Sequence, residues 1–143
     1  STLFPYTTLF RSPKTAGTVT VEGKTNSSKL TFAWAGSVVD VTLPAKYNAN
    51  GTQTNNAATI SGDPGATAEF PFSIELEFPK NDTIEEVVRT LKVTANGGQA
   101  AQIAIKQAAG DATLSVSPAD ITIPQSGSAV SVNVTSNTSW TAA

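Results

Sequence analysis

The sequence predicts an all-β protein, and three observations lead to this expectation. Only 14% of its 143 residues are charged, and Thr, Ser, Ala, Asn, Gly and Val dominate the rest, which is the composition that short strands and tight turns require. Apolar residues recur at every second position in several short stretches, the period of a half-buried strand. Gly, Asn, Asp or Pro bounds each of these stretches. Together they predict a β-sandwich of the immunoglobulin-like type, with about seven strands, followed by the start of a second similar module.

The clearest pairing signal lies in residues 89–107. Two alternating stretches flank residues 96–98, with Leu91 and Val93 on one side and Ile103 on the other. A loop with an odd number of residues is needed to bring both apolar rows to the same face. We therefore expect a hairpin whose three-residue loop, 96–98, holds a glycine in the left-handed conformation.

Residues 13–109 have the length of one immunoglobulin-like sandwich, and we assign them to the first module. The stretch 68–78 should supply the largest share of its core, because five large apolar residues alternate with polar ones. Its Pro71 removes a backbone donor, which predicts an edge position or a bulge. The candidate strands, in order, are 17–22, 29–34, 37–43, 57–61, 68–78, 87–95 and 99–107.

Two longer loops separate these strands. Residues 44–56 are polar and too long for a tight hairpin, so we expect them to carry the chain from one sheet to the other in a Greek-key step. In residues 79–86, Asp82 and Glu85 have the spacing of a capping box, which predicts a short helical turn.

Composition excludes several classes of function. The chain has no Cys, His or Met, so the usual nucleophile–base pairs, zinc sites and thiol redox chemistry have no residues to use. Nine Lys and Arg residues, scattered along a chain of formal charge -2, give no electrostatic surface for nucleic acid or an anionic membrane. No apolar run has transmembrane length. We predict a protein that is not an enzyme, with no cofactor, no metal, no nucleic-acid partner and no direct membrane insertion.

The N-terminal residues differ from the rest of the chain. Residues 2–12, TLFPYTTLFRS, resemble the translation of a common sequencing adapter, and we assign residues 1–12 to a non-native segment outside the fold argument. The alternative is a genuine arm that packs on a sheet edge through Leu3, Phe4, Leu9 and Phe10.

A family resemblance rests on three stretches. Residues 114–143, LSVSPADITIPQSGSAVSVNVTSNTSWTAA, resemble the opening of BACON domains, immunoglobulin-like modules of exported Bacteroidota proteins. The SNTSW element, Ser136 to Trp140, is the most specific match. AAQIAIKQAAG and RTLKVTANGG resemble the closing strands of such modules, whereas FAWAGSVVDV lacks an SNTSW-like element. The resemblance implies a tandem repeat whose second module, residues 110–143, is truncated, a structural role for Trp140 between sheets, and a secreted or cell-surface location.

The resemblance also implies a carbohydrate-binding role, with a polysaccharide or mucin glycan as the ligand. Sugar rings stack on exposed aromatic faces, and Trp34, Tyr47 and Trp140 are the only Trp or Tyr residues outside the adapter-like segment. Trp34 shares the parity of Leu30 and Phe32, which favours a place in the core. Tyr47 falls in the 44–56 loop and is the first candidate for a ligand contact, with Trp34 as the second.

Carboxylates offer weaker candidates. Glu75 and Glu77 lie two residues apart on one strand face, the arrangement that could suggest a glycosidase pair, but they form the outward half of a regular alternation. Asp63 and Asp82 could contact Ca²⁺, yet no Asp-x-Asp-x-Asp loop is present and both stand where turns favour Asp. We predict neither catalytic residues nor a metal site.

Three functional hypotheses remain. We favour a spacer that positions neighbouring domains of the same chain, which predicts no exposed aromatic cluster and a short, rigid joint such as 108–112. The alternative is a carbohydrate-binding module, and the further alternative is an adhesin or fimbrial-type domain that uses an exposed strand edge. We expect residues 113–143 to be loosely held or to lean on the first module, with faster hydrogen exchange than residues 68–78.

Overall fold

A computed structural model describes residues 8–61 and 68–143, and within these ranges the chain is all-β, with ten strands and no helix. Two four-stranded sheets and one two-stranded sheet contain all of these strands. The strands are β1 (Thr8–Ser12), β2 (Gly17–Thr25), β3 (Leu30–Ala35), β4 (Lys46–Ala49), β5 (Thr52–Asn55), β6 (Phe70–Phe78), β7 (Val87–Ala95), β8 (Ala100–Gln107), β9 (Leu114–Ser117) and β10 (Asn133–Ser136).

The two four-stranded sheets form the predicted sandwich. One sheet has the order β1-β8-β7-β3 and the other β2-β6-β4-β5. The pairs are antiparallel except β1 with β8, which is parallel. The distribution of strands between the two sheets resembles that of immunoglobulin-type sandwiches. There, one sheet contains a hairpin and a neighbouring third strand, as β7, β8 and β3 do here, and it packs against the second sheet. The inward rows of both sheets enclose one apolar core. We call residues 8–61 and 68–109 the first unit, and residues 110–143 the C-terminal segment.

The strand β6 contributes five buried side chains to this core, as its alternation predicted. The prediction that Pro71 marks an edge or a bulge is wrong, because β6 lies between β2 and β4. The ladder with β4 joins only Phe72 and Ser73 to that strand, and the turn residue Asn50 then donates its N–H to the Pro71 carbonyl at 2.8 Å. The N–H and C=O groups of a strand residue point to the same neighbouring strand, and for Pro71 that strand is β4. Pro71 therefore lacks its N–H at a position beyond the last residue pair of β4 with β6.

The hairpin of β7 and β8 confirms the prediction for residues 89–107. Leu91 lies opposite Ile103, so both apolar rows face the core. Ala95 donates its N–H to the carbonyl of Gln99 at 2.7 Å, which leaves residues 96–98 as the loop. Gly98 has a φ of 88° and takes the left-handed conformation.

Four predictions about the intervening segments are wrong. Residues 37–43 and 57–61 form no strand, apart from one isolated bridge between Lys29 and Thr59. The chain crosses between the sheets in residues 36–45, between β3 and β4, whereas the 44–56 segment contains the short hairpin of β4 and β5 within one sheet. Its two-residue turn is Asn50 and Gly51, with φ values of 51° and 82°, both positive as a type I′ turn requires. Residues 79–86 form no helical turn.

Residues 8–12 agree with the alternative interpretation of an arm at a sheet edge. They form β1, which pairs in parallel with β8, and Phe10 packs half-buried against the core. The adapter origin of the segment stays a prediction. Residues 2–7, including Leu3 and Phe4, and Asp63 lie outside the described residues.

The C-terminal segment is a small two-stranded sheet of β9 and β10. Its side chains are mainly exposed, and Ile123 reaches 71% exposure. Trp140 is 49% exposed, so the prediction that it packs between two sheets is wrong. The segment has no second sheet of its own in the described residues, which leaves most of its apolar side chains exposed.

Candidate functional site

Tyr47, the first candidate for a sugar contact, is a core residue. It lies in β4 rather than in a loop, and only 2% of it is exposed. Its ring lies 4.7 Å from that of Phe32, centroid to centroid, and burial raises the pKa of Tyr47 to about 12. The assignment of Tyr47 to an exposed loop is therefore wrong, and its ring offers no accessible face for stacking.

Trp34 is half-buried at the edge of the core, where its parity placed it. Its ring lies 6.4 Å from that of Phe78, and its indole Nε1–H donates to the carbonyl of Val41 at 2.6 Å. The polar atom of the indole is thus satisfied within the fold. The structure does not bring Trp34 and Tyr47 together on one accessible surface.

A polar groove runs along the outer face of β4 and β6. Its side chains come from Lys46, Asn48, Gln53, Glu75 and Glu77, together with residues 42–45 and Ser73. Both glutamates are exposed, as the outward half of the alternation predicted. Tyr47 is the only aromatic residue among the described residues that line the groove, and its ring is buried. The groove can offer hydrogen bonds but no aromatic platform.

The best-defined polar site is organised by Asn81, which is 5% exposed. Its Nδ2 donates to the carbonyls of Glu85, at 2.8 Å, and Ala108, at 3.0 Å. Its Oδ1 accepts from the Thr83 N–H at 3.0 Å and the Thr83 hydroxyl at 2.7 Å. All donor and acceptor sites of the amide are used. These local bonds shape the 79–86 loop in place of the expected helical turn.

Gly110 fits closely against this loop. Its N–H donates to the Thr83 carbonyl at 2.7 Å. A Cβ at this position would lie 2.1 Å from the Asn81 carbonyl oxygen and 2.7 Å from that of Thr83. Because both atoms belong to the backbone, no side-chain rotation could relieve the contact, and the position requires glycine.

Four further contacts hold the start of the C-terminal segment, and two of them, Asn137 with Asp82 and Lys14 with Asp111, join it to the first unit. The Asn137 Nδ2 donates to the carbonyls of Asp82, at 2.8 Å, and Asp111, at 2.7 Å. Its Oδ1 accepts from the Thr113 N–H at 2.9 Å. Lys14 forms an ion pair with Asp111 and holds the pKa of that carboxyl below its ordinary value. We call this set, residues 79–86, 108–113 and 137 with Lys14, the joint.

Arg89 forms a second buried polar cluster, which the sequence analysis missed. It is 3% exposed, and its guanidinium donates twice to the Asp40 carboxylate, at 2.8 and 2.9 Å. A third bond, at 2.9 Å, goes to Oε1 of Gln107, and the Phe78 ring lies 4.8 Å away. Gln107 in turn donates to the Pro79 carbonyl at 2.7 Å, directly before the joint. The parity that Arg89 shares with Leu91 and Val93 was the signal for its burial.

No protein-family model matches the chain, and no curated protein shows significant similarity to it. In residues 8–61 and 68–143, no three His, Cys, Asp or Glu side chains are grouped so that they could hold a metal ion. Over the same ranges, no helix is long and apolar enough to cross a membrane. The joint, in which Asn81 uses every donor and acceptor of its amide and Gly110 has no room for a Cβ, is the candidate functional site.

Proposed function

We propose that the first unit is a non-catalytic spacer of an exported or cell-surface protein, and that it fixes the direction in which the following segment leaves the sandwich. The joint is the observation that supports this function. A flexible linker leaves its backbone groups to water. Here Gly110 is held against the 79–86 loop, and Ala108 and Asp111 use their carbonyls in specific hydrogen bonds.

The absence of an aromatic cluster supports the same function. Among the described aromatic residues, the core or its border contains all the rings except that of Trp140. The outer groove presents polar side chains together with Leu43, Pro44 and Ala45, but no exposed aromatic ring. Buried aromatic rings suit a module that keeps other domains apart in solution, because they are not available for non-specific association.

A change at Gly110 tests the spacer function directly. In the full chain, we expect the amides of β9 and β10 to share the rotational correlation time of β6, measured by ¹⁵N relaxation. Gly110→Ala forces the backbone away from the Asn81 carbonyl, so β9 and β10 should then relax faster than β6. Gly17→Ala is the matched control, because no atom lies within 4 Å of its added Cβ. Independent motion of β9 and β10 in the wild-type chain would contradict the spacer function.

The polar groove supports a second candidate function, the binding of a polysaccharide or mucin glycan. Asn48, Gln53 and Glu75 present amide and carboxylate groups on one face, and such groups form hydrogen bonds to sugar hydroxyls. Calorimetric titration with a panel of glycans tests this candidate. Saturable heat that is lost in Asn48→Ala but retained in Lys92→Ala, a change outside the groove, would favour it over the spacer.

A further inference from the structure

The first unit contains the tripeptide Ala-Asn-Gly twice, at residues 49–51 and at residues 95–97. Both asparagines are exposed and lie in loops that close antiparallel hairpins, Asn50 between β4 and β5 and Asn96 between β7 and β8. Asparagine is a thermolabile residue, and most so before glycine, because glycine leaves the following backbone nitrogen unshielded. Since the two tripeptides are identical, a difference in their reactivity in the folded chain has to come from the structure around them.

The loss of the side-chain amide requires the glycine nitrogen to meet the asparagine Cγ. The nitrogen gives up its proton to water and bonds to Cγ, and the Cγ–Nδ2 bond breaks as ammonia leaves with a proton from the solvent. Water then opens the resulting cyclic imide at one of its C–N bonds, which leaves aspartate or, when the main-chain bond breaks, isoaspartate. The net reaction consumes one water and exchanges an amide for a carboxylate. A hydrogen bond that holds the glycine N–H, or a backbone conformation that turns it away from Cγ, slows the first step.

The tripeptide that contains Asn50 is held in an unreactive geometry. The Gly51 N–H donates to Oδ1 of Asn48 at 3.0 Å, and the Asn50 N–H donates to the Pro71 carbonyl at 2.8 Å. Asn50 has a φ of 51°, in the left-handed region. At the ψ of about 47° that accompanies such a φ, the nitrogen of the next residue lies opposite Cβ across the Cα–C bond. Cγ of Asn50 therefore cannot reach the Gly51 nitrogen unless the turn opens.

The tripeptide that contains Asn96 has neither of these restraints. Asn96 lies outside the left-handed region. Two neighbouring N–H groups of the loop are in use, because Asn96 donates to Oγ of Ser27 at 2.9 Å and Gly98 donates to the Ala95 carbonyl at 3.0 Å. The N–H of Gly97 and the side-chain amide of Asn96 make no hydrogen bond to any described residue. The nitrogen that has to react is thus exposed and unbonded at Asn96, whereas it is bonded at Asn50.

We propose that Asn96 is a site of spontaneous modification, at which the folded chain loses ammonia and acquires aspartate or isoaspartate while Asn50 stays intact. The product makes the chain, of formal charge -2, more negative by one unit. Isoaspartate also adds one carbon to the main chain of a loop that the Ala95 N–H closes on the Gln99 carbonyl at 2.7 Å. The nine residues of β7 separate this loop from the joint by roughly 30 Å. The modification therefore changes the charge and the loop at the end of the first unit that lies away from the joint.

Incubation of the full chain at mildly alkaline pH, followed by tryptic peptide mapping with mass spectrometry, tests the site. Cleavage after Lys92 and Lys106 releases residues 93–106, in which Asn96 is the only asparagine. In the folded chain we expect Asn96 to convert roughly tenfold to a hundredfold faster than Asn50, because only Asn96 can reach the reactive geometry. In concentrated urea the two rates should become similar, since the tripeptides are identical. The matched variant is Asn96→Gln, which keeps a side-chain amide but closes the ring far more slowly, so its 93–106 peptide should keep its mass.

Three results would overturn the modification site. The first is a rate at Asn96 that is equal to or lower than the rate at Asn50 in the folded chain. The second is a difference between the two rates that persists in urea, because it would then come from the sequence rather than from the geometry of the loops. The third is a mass change of the 93–106 peptide that continues in Asn96→Gln, which would place the reaction at another residue. The spacer function stands or falls separately, because its relaxation experiment uses the unmodified chain.

Discussion

The same alternating sequence pattern is buried in the first unit of this protein and exposed in its C-terminal segment. Val21 in β2 is 1% exposed, whereas Val132 in the C-terminal segment is 42% exposed. Both valines belong to a stretch in which Val alternates with a polar residue. Alternation thus indicates which side chains can be buried, but burial itself requires a second sheet, and within residues 8–61 and 68–143 the first unit alone has one.

The largest difference between the two parts should appear when core side chains are truncated. Phe72 is 2% exposed, and Phe72→Ala should lower the free energy of unfolding by about 3–5 kcal/mol. Ile123 is 71% exposed, and Ile123→Ala should change it by no more than about 0.5 kcal/mol. Urea unfolding followed by circular dichroism measures both. Equal effects of the two substitutions would mean that the C-terminal segment packs as tightly as the first unit.

The joint should be the next most sensitive region. Asn81→Ala removes four hydrogen bonds at a buried position and leaves carbonyl groups without a donor, so we expect a loss of about 2–3 kcal/mol. Asn137→Ala is the control, since its amide also bonds two carbonyls but is only half-buried, and it should cost less than about 1 kcal/mol. If the two variants unfold at the same urea concentration, burial of Asn81 does not stabilise the joint.

Asp40 should give a smaller, pH-dependent effect. Its hydrogen bonds to Arg89 hold the pKa of Asp40 below its ordinary value in the folded state. The pair therefore stabilises the fold fully above the unfolded pKa, about 3.9, and the contribution is lost as pH falls through the lower folded value. Because the Asp40 side chain is 50% exposed, Asp40→Asn should cost only about 1–2 kcal/mol at neutral pH.

The matched control for this pair is Asp111→Asn. Asp111 also bonds a cation, Lys14, but its side chain is 75% exposed, so its removal should leave the unfolding midpoint unchanged. The measurement is urea unfolding at pH 7 and at pH 3. If the difference between wild type and Asp40→Asn is no smaller at pH 3 than at pH 7, the Asp40 carboxylate is not its source.

The two tryptophans lie in the two regions, and replacing one of them by Phe leaves the other as a fluorescence probe of its own region. Of the changes considered, these should alter the stability of the protein least. With Trp140→Phe, only Trp34 remains, and its half-buried ring should emit at shorter wavelength than a tryptophan in water. With Trp34→Phe, the remaining Trp140 should emit as an exposed indole. Trp140→Phe should leave the unfolding midpoint unchanged. Emission from Trp34 that responds to a glycan would instead support the carbohydrate-binding candidate.

The elements that sequence alone predicted are those in which one physical signal dominates. In β6, five large apolar residues alternate without interruption, and in β7 and β8 the parity of the rows determines the loop. The short hairpin of β4 and β5 was missed because Tyr47 and Ala49 are the only inward apolar residues of β4, so the Asn50–Gly51 turn had little pattern around it. A turn signal needs strands that are recognisable on both sides.

The joint could not be predicted because its contacts are distant in sequence. From the sequence, Asn81 is expected to be a turn residue. Nothing near it in the chain indicates that its amide donates a hydrogen bond to the carbonyl of Ala108. From the sequence, Gly110 is expected to belong to a linker of small residues. Only the structure shows that the Asn81 carbonyl leaves no room for a Cβ at position 110. In residues 37–43 the alternation was real, but the Val41 carbonyl accepts from the Trp34 indole instead of a neighbouring strand.

The parallel pairing of β1 with β8 gives the first unit a mechanical property. The register runs from Thr8 beside Ile103 to Ser12 beside Gln107, so the chain enters at one end of this strand pair and leaves at the other. Tension drawn between the two ends would act along the strands and strain all their hydrogen bonds at once, in shear. An antiparallel hairpin pulled at its open ends instead separates one pair at a time. Resistance to stretching would then come from backbone groups, and it would depend little on which side chains β1 carries.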